Sequence, residues 1–530
     1  MFNRTSLQIT AALASISLVS GCSLFEGDEA EGEKKLVVGT TSSPTSLDPA
    51  AAWDNSWELY RNVFQTLVAF PTGSTTPQPD AADCKFTDTA SRVFECTLRD
   101  GLKFSNGHVL DAAAVQHSIE RIRKIDDKSG PNGMLGSLAK IETVGSRTVV
   151  FRLKESDATF PFVLATPAMS LVDPAEYPMD SLRKDGKLMG SGPYVLDSFE
   201  VDGEGIPQEA VLTKNPSYKG FADRKNGGVT IKYFEQSEPM VTALKKKEID
   251  AVYRGLTAEE VNELQGKGKE NEHLQIVETT GADIRYLVFN SADPVARKLP
   301  VRKAVAQVID RDELVGKVYQ GTAEPLYSMV PKGITGHTTK FFDRYGDPDV
   351  AKARKILRQA GIDEPVEMTF WYTEDRYGSG TAAEFAEIKR QLDATGLFKI
   401  TIKGKKWGEF QKDYQAGKYQ VFGRGWFPDF PDPDNFVAPF VGKKNVLGNP
   451  YESPKITEKL LPQSRKQSDR SAVTEDFAEA QEIMVGDVQL LPLWQGKLYV
   501  AASEDISGGE NALDPQTVMQ MWELGKKTSW

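Results

Sequence analysis

The chain has 530 residues, with 64 lysines and arginines against 75 aspartates and glutamates, a net charge of −11, four histidines and three cysteines. An acidic balance argues against nucleic acid or anionic lipid as the main partner, since both select basic surfaces. His108, His117, His273 and His337 are scattered without ligand spacing, so the composition points to no metal centre, and no cofactor is called for.

The first 22 residues read as an address. Arg4 is followed by an apolar run from Leu7 to Val19 and then small residues before Cys22. The run is too short to span a bilayer and matches the apolar region of a secretory leader. "VSGC" resembles a bacterial lipobox, which implies cleavage after residue 21 and a lipid anchor on Cys22. The next stretch, "SLFEGDEAEGEKK", is acidic and nearly free of large apolar groups, as a solvated tether would be. What remains is long enough for roughly three domains at ~100–200 residues each.

Beyond the tether, "KLVVGT" predicts a strand that leaves into a polar turn. Cys84 and Cys96 flank "KFTDTASRVFE". Folding these arms as a hairpin around "TAS" sets Cys84 opposite Cys96 and Phe86 opposite Phe94, all on one face. A cross-strand disulfide is therefore expected, since an exported chain keeps thiols oxidised; a zinc half-site would need more ligands than lie nearby. Asp111 is a suitable cap for a helix carrying Ala112, Val115, Ile119 and Ile122. A β-rich region follows through "TVVFRL", "GPYVLDSFE" and "VTIKYF", then a helix-to-strand unit in "VTALKKKEIDAVY" and a strand in "IRYLVFN". Later segments alternate. A helix begins near Pro300, another runs from Asp349 to Gly361, "VEMTFWY" and "FKITIKG" read as strands, and "AAEFAEIKRQLDATG" reads as a helix between them. That alternation predicts an α/β fold with a substantially parallel sheet.

The segment "GWFPDFPDPDNF", residues 425–436, is dense in aromatics, prolines and aspartates. So many prolines exclude a helix or a central strand. Asp429, Asp432 and Asp434 raise the possibility of paired carboxylates, as in glycoside hydrolysis. Yet there is no G-x-S-x-G elbow, no H-E-x-x-H and no P-loop, and Asp before Pro is a routine turn initiator. No catalytic residue is assigned; a secreted hydrolase using Asp429 is the alternative of a different class.

The motifs in series resemble one family. "SLDPA", "FECTLRDGLKFSNGHVLDAAAVQHSIERI", "GSGPYVLDSFE", "VLTKNPSYKG", "ALKKKEIDAVY", "RYLVFNSADP", residues 425–436 and "LLPLW" are each weak, but their order and spacing are specific. Together they resemble the extracellular solute-binding proteins of ABC importers, in the class that binds oligopeptides and dipeptides. The resemblance implies a periplasmic-binding-protein-like α/β fold of two lobes with a hinge. Residues 36–61 with 188–281 and 492–530 would form the first lobe, 62–187 an extra domain packed on it, and 282–491 the second lobe. It also implies a monomeric receptor, lipid-anchored on the extracytoplasmic face of the membrane, that hands its solute to the membrane subunits of an ABC permease.

In peptide-binding relatives an aspartate three residues after the loop tryptophan pairs with the ligand's α-amino group; here those are Trp426 and Asp429. The ligand main chain would lie between Trp53, Asp54 and Asn55 on one lobe and Gly425, Trp426 and Phe427 on the other. Arg285 and Tyr286 lie where the family crosses between lobes, and Arg285 either holds a ligand carboxylate or pairs with Asp283. Arg424 lies near the loop, though out of register with the arginine that meets the ligand C-terminus in many peptide binders. Trp53, Trp57, Trp426, Phe427 and Phe430 would also suit sugar stacking, so an oligosaccharide or another solute is the alternative within the class.

Overall fold

The computed structural model describes residues 34–266 and 268–527. The leader, Cys22 and nearly all of the tether lie outside the described residues. No helix among the described residues is long and apolar enough to cross a membrane.

A mixed sheet runs through both lobes. Its strands lie in the order Phe398–Lys405, Val366–Thr373, Val421–Trp426, Leu274–Phe289, Leu490–Ser503, Ala251–Tyr253, Lys35–Thr40, Gly228–Tyr233, Pro207–Lys214 and Tyr194–Val201. Parallel pairing in the second lobe is confined to Val366–Thr373 with Phe398–Lys405 and with Val421 and Phe422. The sheet is thus less parallel than the alternation of elements predicts. The reason is topological: the chain leaves the first lobe along Leu274–Phe289 and returns along Leu490–Ser503, so these two long strands must run antiparallel.

Their ladder breaks between Thr280 and Ile284. Before the break, residues 274–280 pair with 497–503; after it, 284–288 pair with 490–495 and 284–289 also pair with 421–426. Apolar packing divides at the same place. Val500 and Ala502 join a core that begins at Leu36, whereas Leu491, Leu493 and Trp494 join one with Leu287 and Phe289. Because side chains alternate along a strand, Ile284, Tyr286 and Val288 face the other way, into a separate core with Phe422 and Phe440.

A second, antiparallel sheet is built from Ala82–Phe86, Val93–Leu98, Thr148–Leu153 and Leu138–Val144. The register sets Cys84 against Cys96 and Phe86 against Phe94, the cysteines are disulfide-bonded, and the two rings lie 4.9 Å apart. The helix Ala112–Ile125 packs on this sheet, with the Asp111 carboxylate accepting from the Ala114 N–H. It also anchors the segment that leads to the site. Arg121, 1 % exposed, donates from both terminal nitrogens to Asp48 at 2.7 and 2.6 Å, while Asp48 caps the short turn Pro49–Ala51. Loss of one partner from such a buried pair strands the other charge and typically costs about 3–5 kcal/mol. Arg121→Met is therefore expected to lower the first unfolding transition seen by calorimetry by several degrees, whereas Arg123→Met on the same helix should leave it nearly unchanged.

Candidate ligand-binding site

A cavity of about 920 Å³ lies between the lobes. It is lined by Trp53, Asp54, Asn55, Trp57 and Arg254 from the first lobe and by Arg285, Arg376, Tyr377, Trp407 and Gly425–Asp429 from the second. The volume lies near the upper end of the range for small-molecule sites.

Asp429 gets its position from the loop's local chemistry. The strand Val421–Trp426 ends where Pro428 withholds an N–H, and the chain turns back through a short 3₁₀ turn, Pro433–Phe436. Asn435 on that turn ties the loop together. Its Oδ1 accepts from the Trp426 indole N–H at 3.1 Å and from the Asp429 N–H at 3.0 Å, and its Nδ2–H donates to Asp429 Oδ2 at 2.8 Å. The other carboxylate oxygen accepts from the Trp53 indole N–H at 2.8 Å, across the cavity. Among the described residues, no cationic side chain forms a salt bridge with Asp429. Burial pushes its carboxyl up to about 6, against the opposing effect of the Asn435 and Trp53 hydrogen bonds.

The neighbouring aspartates are occupied otherwise. Asp432 accepts two hydrogen bonds from Arg470, at 2.7 and 2.9 Å, and Asp434 two from Arg465, at 2.8 and 2.9 Å. Of the three aspartates, only Asp429 lines the cavity.

The same loop carries contacts between the lobes. Phe430 is buried in the first lobe's core with its ring 6.1 Å from Phe162, and the Gln516 amide donates to the Asp429 carbonyl. The Ala158 N–H donates to the Arg465 carbonyl at 2.8 Å.

Placement of the expected residues is uneven. Trp53, Asp54, Asn55, Arg285, Gly425, Trp426, Phe427 and Asp429 all line the cavity. Tyr286 does not: alternation along its strand turns it into the second lobe's core, 5.3 Å from Phe440. Arg424, on the same face, is clasped by the Tyr414 hydroxyl at 2.6 Å and the Val446 carbonyl at 3.2 Å, and reaches the cavity wall. Phe430 serves contact between lobes rather than the cavity.

Several lining residues had no motif to announce them. Arg254 adopts φ +59 and pairs with Glu58 at 3.1 Å. Tyr377 and Arg376 sit in "TEDRYGSG", a charged, Gly-containing loop after a strand, and loops in that position commonly carry function. The edge of the sheet also matters. Val421–Trp426 has Ile284–Phe289 beside its whole length, but its other neighbour registers only with Val421 and Phe422. Gly423–Trp426 have no strand on that side among the described residues.

Residues 76–448, well over half of the chain, match the profile of the bacterial extracellular solute-binding proteins, family 5 Middle. The chain belongs to this family. It is 27% identical over 491 residues to the probable D,D-dipeptide-binding periplasmic protein DdpA of Escherichia coli K12, covering 89% of this chain and 90% of that protein. It is 25% identical over 505 residues to di/tripeptide-binding protein 1 of Pseudomonas aeruginosa, covering 88% and 89% respectively. The fold is shared with the periplasmic binding protein DppA of Helicobacter pylori, solved in complex with the peptide STSA. The TM-score is 0.75 at 22% identity, covering 94% of this chain and 99% of that one.

The Asp429 carboxyl gives this solute-binding protein a pH signature. Its folded value of about 6 lies above the ~3.9 of an unfolded aspartate. Between those values the native state holds more protons, so the Asp429 contribution is full below about 3.9 and is lost as pH rises through about 6. Asp80 and Asp514, also pushed up to about 6 by burial, add the same sign. Comparing Asp429→Asn with the unaltered chain isolates one group. The variant's melting temperature relative to the unaltered chain is expected to rise between pH 4 and pH 7.

Proposed function

We propose that this protein captures short peptides outside the cell in the cavity between its lobes and delivers them to the membrane subunits of an ABC permease. The observation that carries the reading is Asp429: a cavity-facing carboxylate fixed by Asn435 and Trp53 with no cation paired to it. A peptide's α-ammonium supplies the missing charge through charge-assisted hydrogen bonds, and the remaining lone pairs on both oxygens leave room for it. The names of the relatives, which bind dipeptides and tripeptides, support the same class of ligand.

The ligand's main chain would lie between the segment Trp53–Asn55 and the open edge at Gly425–Phe427. Backbone pairing of that kind holds peptides without regard to sequence. Trp53 and Phe427, each about two-fifths exposed, flank this path and offer apolar faces to side chains. The loop prolines limit the freedom that the segment would otherwise lose on meeting ligand. In this reading the solute is bound and released unchanged, and Cys22 tethers the mature chain to the membrane.

Two expected outcomes test the proposal. Asp429→Asn should weaken oligoalanines with a free amino terminus by about tenfold or more, the scale of one charge-assisted hydrogen bond, while N-acetylated peptides change little. Calorimetric titration of both peptide sets checks this, and equal losses for both would remove Asp429 from amine recognition. Affinity for free-amine peptides should also rise from pH 5 to pH 7 in the unaltered chain as the carboxyl loses its proton, with protons released on binding below about pH 6.

A further inference from the structure

The disulfide hairpin and the segment 157–164 line no part of the cavity, yet both reach the second lobe beside the loop that carries Asp429. Phe94 on the hairpin and Phe151 on the neighbouring strand hold Phe160 between them, with ring separations of 6.1 and 5.4 Å. The short helix Phe160–Leu164 is fixed to the four-stranded sheet in this way, and it presents Phe162 to Phe430. Phe430 is 7 % exposed, so a ring that belongs to the second lobe is shut inside the core of the first.

Two main-chain acceptors of the second lobe complete the contact. The Ala158 N–H donates to the Arg465 carbonyl at 2.8 Å, and the Ser91 hydroxyl, at the hairpin's tip, donates to the Lys466 carbonyl at 3.2 Å. Ser91 adopts φ +52, a left-handed conformation uncommon for serine, and its own carbonyl accepts from the Asp157 N–H at 3.0 Å. Tip and segment are thus joined to each other where they meet the second lobe. The bond between Cys84 and Cys96 links the two arms of the hairpin close behind that tip.

On the other side of the contact, the turn at 464–467 is tied to the ligand loop. Arg465 holds Asp434 and Arg470 holds Asp432, each through two hydrogen bonds, and Arg470 Nη1–H also donates to the Ser464 carbonyl at 2.6 Å. Phe430 and Asp429 are adjacent in the loop so held. The lobes also meet through Gln320, with Glu259 at 3.2 Å and Asn262 at 3.3 Å. Those side chains are exposed, and water competes for their hydrogen bonds.

We propose that the disulfide hairpin and the helix Phe160–Leu164 form a clasp on the ligand loop, with Phe430 as its pin, and that this clasp sets how long a captured solute is held. For the cavity to open by rotation at the crossing strands, Phe430 leaves its core and Ala158 gives up its acceptor. The proposal rests on solute capture between the lobes as read above, but on no particular solute.

Hydrogen exchange on the full chain without ligand reads the clasp directly, because the Ala158 amide has its acceptor in the other lobe. Phe430→Ala should speed exchange at Ala158 by about tenfold or more, the scale of one buried ring, and leave the amides of Thr148–Leu153 unchanged. Phe430→Leu should recover most of the protection. Ser91→Ala, which deletes one neutral hydrogen bond, should give a smaller acceleration of about threefold. Val144→Ala, at an exposed position of the same sheet, should change nothing. Release of trialanine, followed by tryptophan fluorescence in stopped flow, should quicken in Phe430→Ala by about the factor seen in exchange, with association nearly unchanged. Unchanged exchange at Ala158 in Phe430→Ala overturns the clasp. So does acceleration spread equally through Thr148–Leu153, which is loss of the fold rather than opening. Faster exchange at Ala158 with unchanged trialanine release overturns the clasp's part in retention. If the unaltered chain does not bind trialanine, the peptide reading falls and the exchange measurement alone decides the clasp.

Discussion

Everything in this molecule depends on two antiparallel strands that cross between the lobes. Leu274–Phe289 and Leu490–Ser503 bear the chain out and back, and their ladder is broken between Thr280 and Ile284 and shifts register again between Arg285 and Tyr286. At the break between Thr280 and Ile284 two glycines meet. A Cβ on Gly281 would stand 2.5 Å from the Gly496 carbonyl, and one on Gly496 would stand 2.4 Å from the Asp283 carboxylate. Gln495, 1 % exposed, spans the gap by donating to the Gly281 carbonyl at 2.8 Å and accepting from the Lys332 N–H at 2.8 Å. The crossing is therefore tight and hydrogen-bonded, with a glycine on each strand. Those are the properties of a segment that absorbs rotation while the cores on either side stay packed. Asp283 and Gly496 at the crossing themselves line the cavity, and Arg285 follows four residues past Gly281.

Much of this architecture is legible in the sequence because local patterns decide it. The hairpin register of Cys84 and Cys96 follows from period-two alternation and a short turn. The caps at Asp111 and Asp349 and the left-handed Gly361, φ +71, are where local backbone chemistry places them. Asp429 and Trp426 were legible only through the family motif, since neither residue is unusual alone. Alternation also explains the miss at Tyr286: Arg285 takes the cavity side of this strand, and Tyr286 turns into the core beside Phe440.

What escaped the sequence depends on contacts made far along the chain. Asn435 resembles any turn asparagine until the fold brings its amide to Asp429 and Trp426. Phe430 reads as one more loop aromatic, yet it crosses into the other lobe's core. The Glu384 carboxylate that braces Trp494 sits on a helix more than a hundred residues earlier, and nothing in the spacing of the helix Thr381–Ala394 marks it. Arg376 and Tyr377 are signalled only by a Gly-containing loop after a strand.

The charges on the cavity wall explain how binding and closure can be one event. A ligand shifts the balance between open and closed forms only by the difference in its affinity for the two. Asp429 meets the first lobe through the Trp53 indole, while the strand carrying Arg285 is anchored in the second lobe. An ammonium placed against Asp429 would therefore also lie against the first lobe. A buried carboxylate such as Asp429 is costly to leave without a counter-charge. On the proposed peptide path, aromatic walls at Trp53 and Phe427 would meet side chains without regard to their sequence.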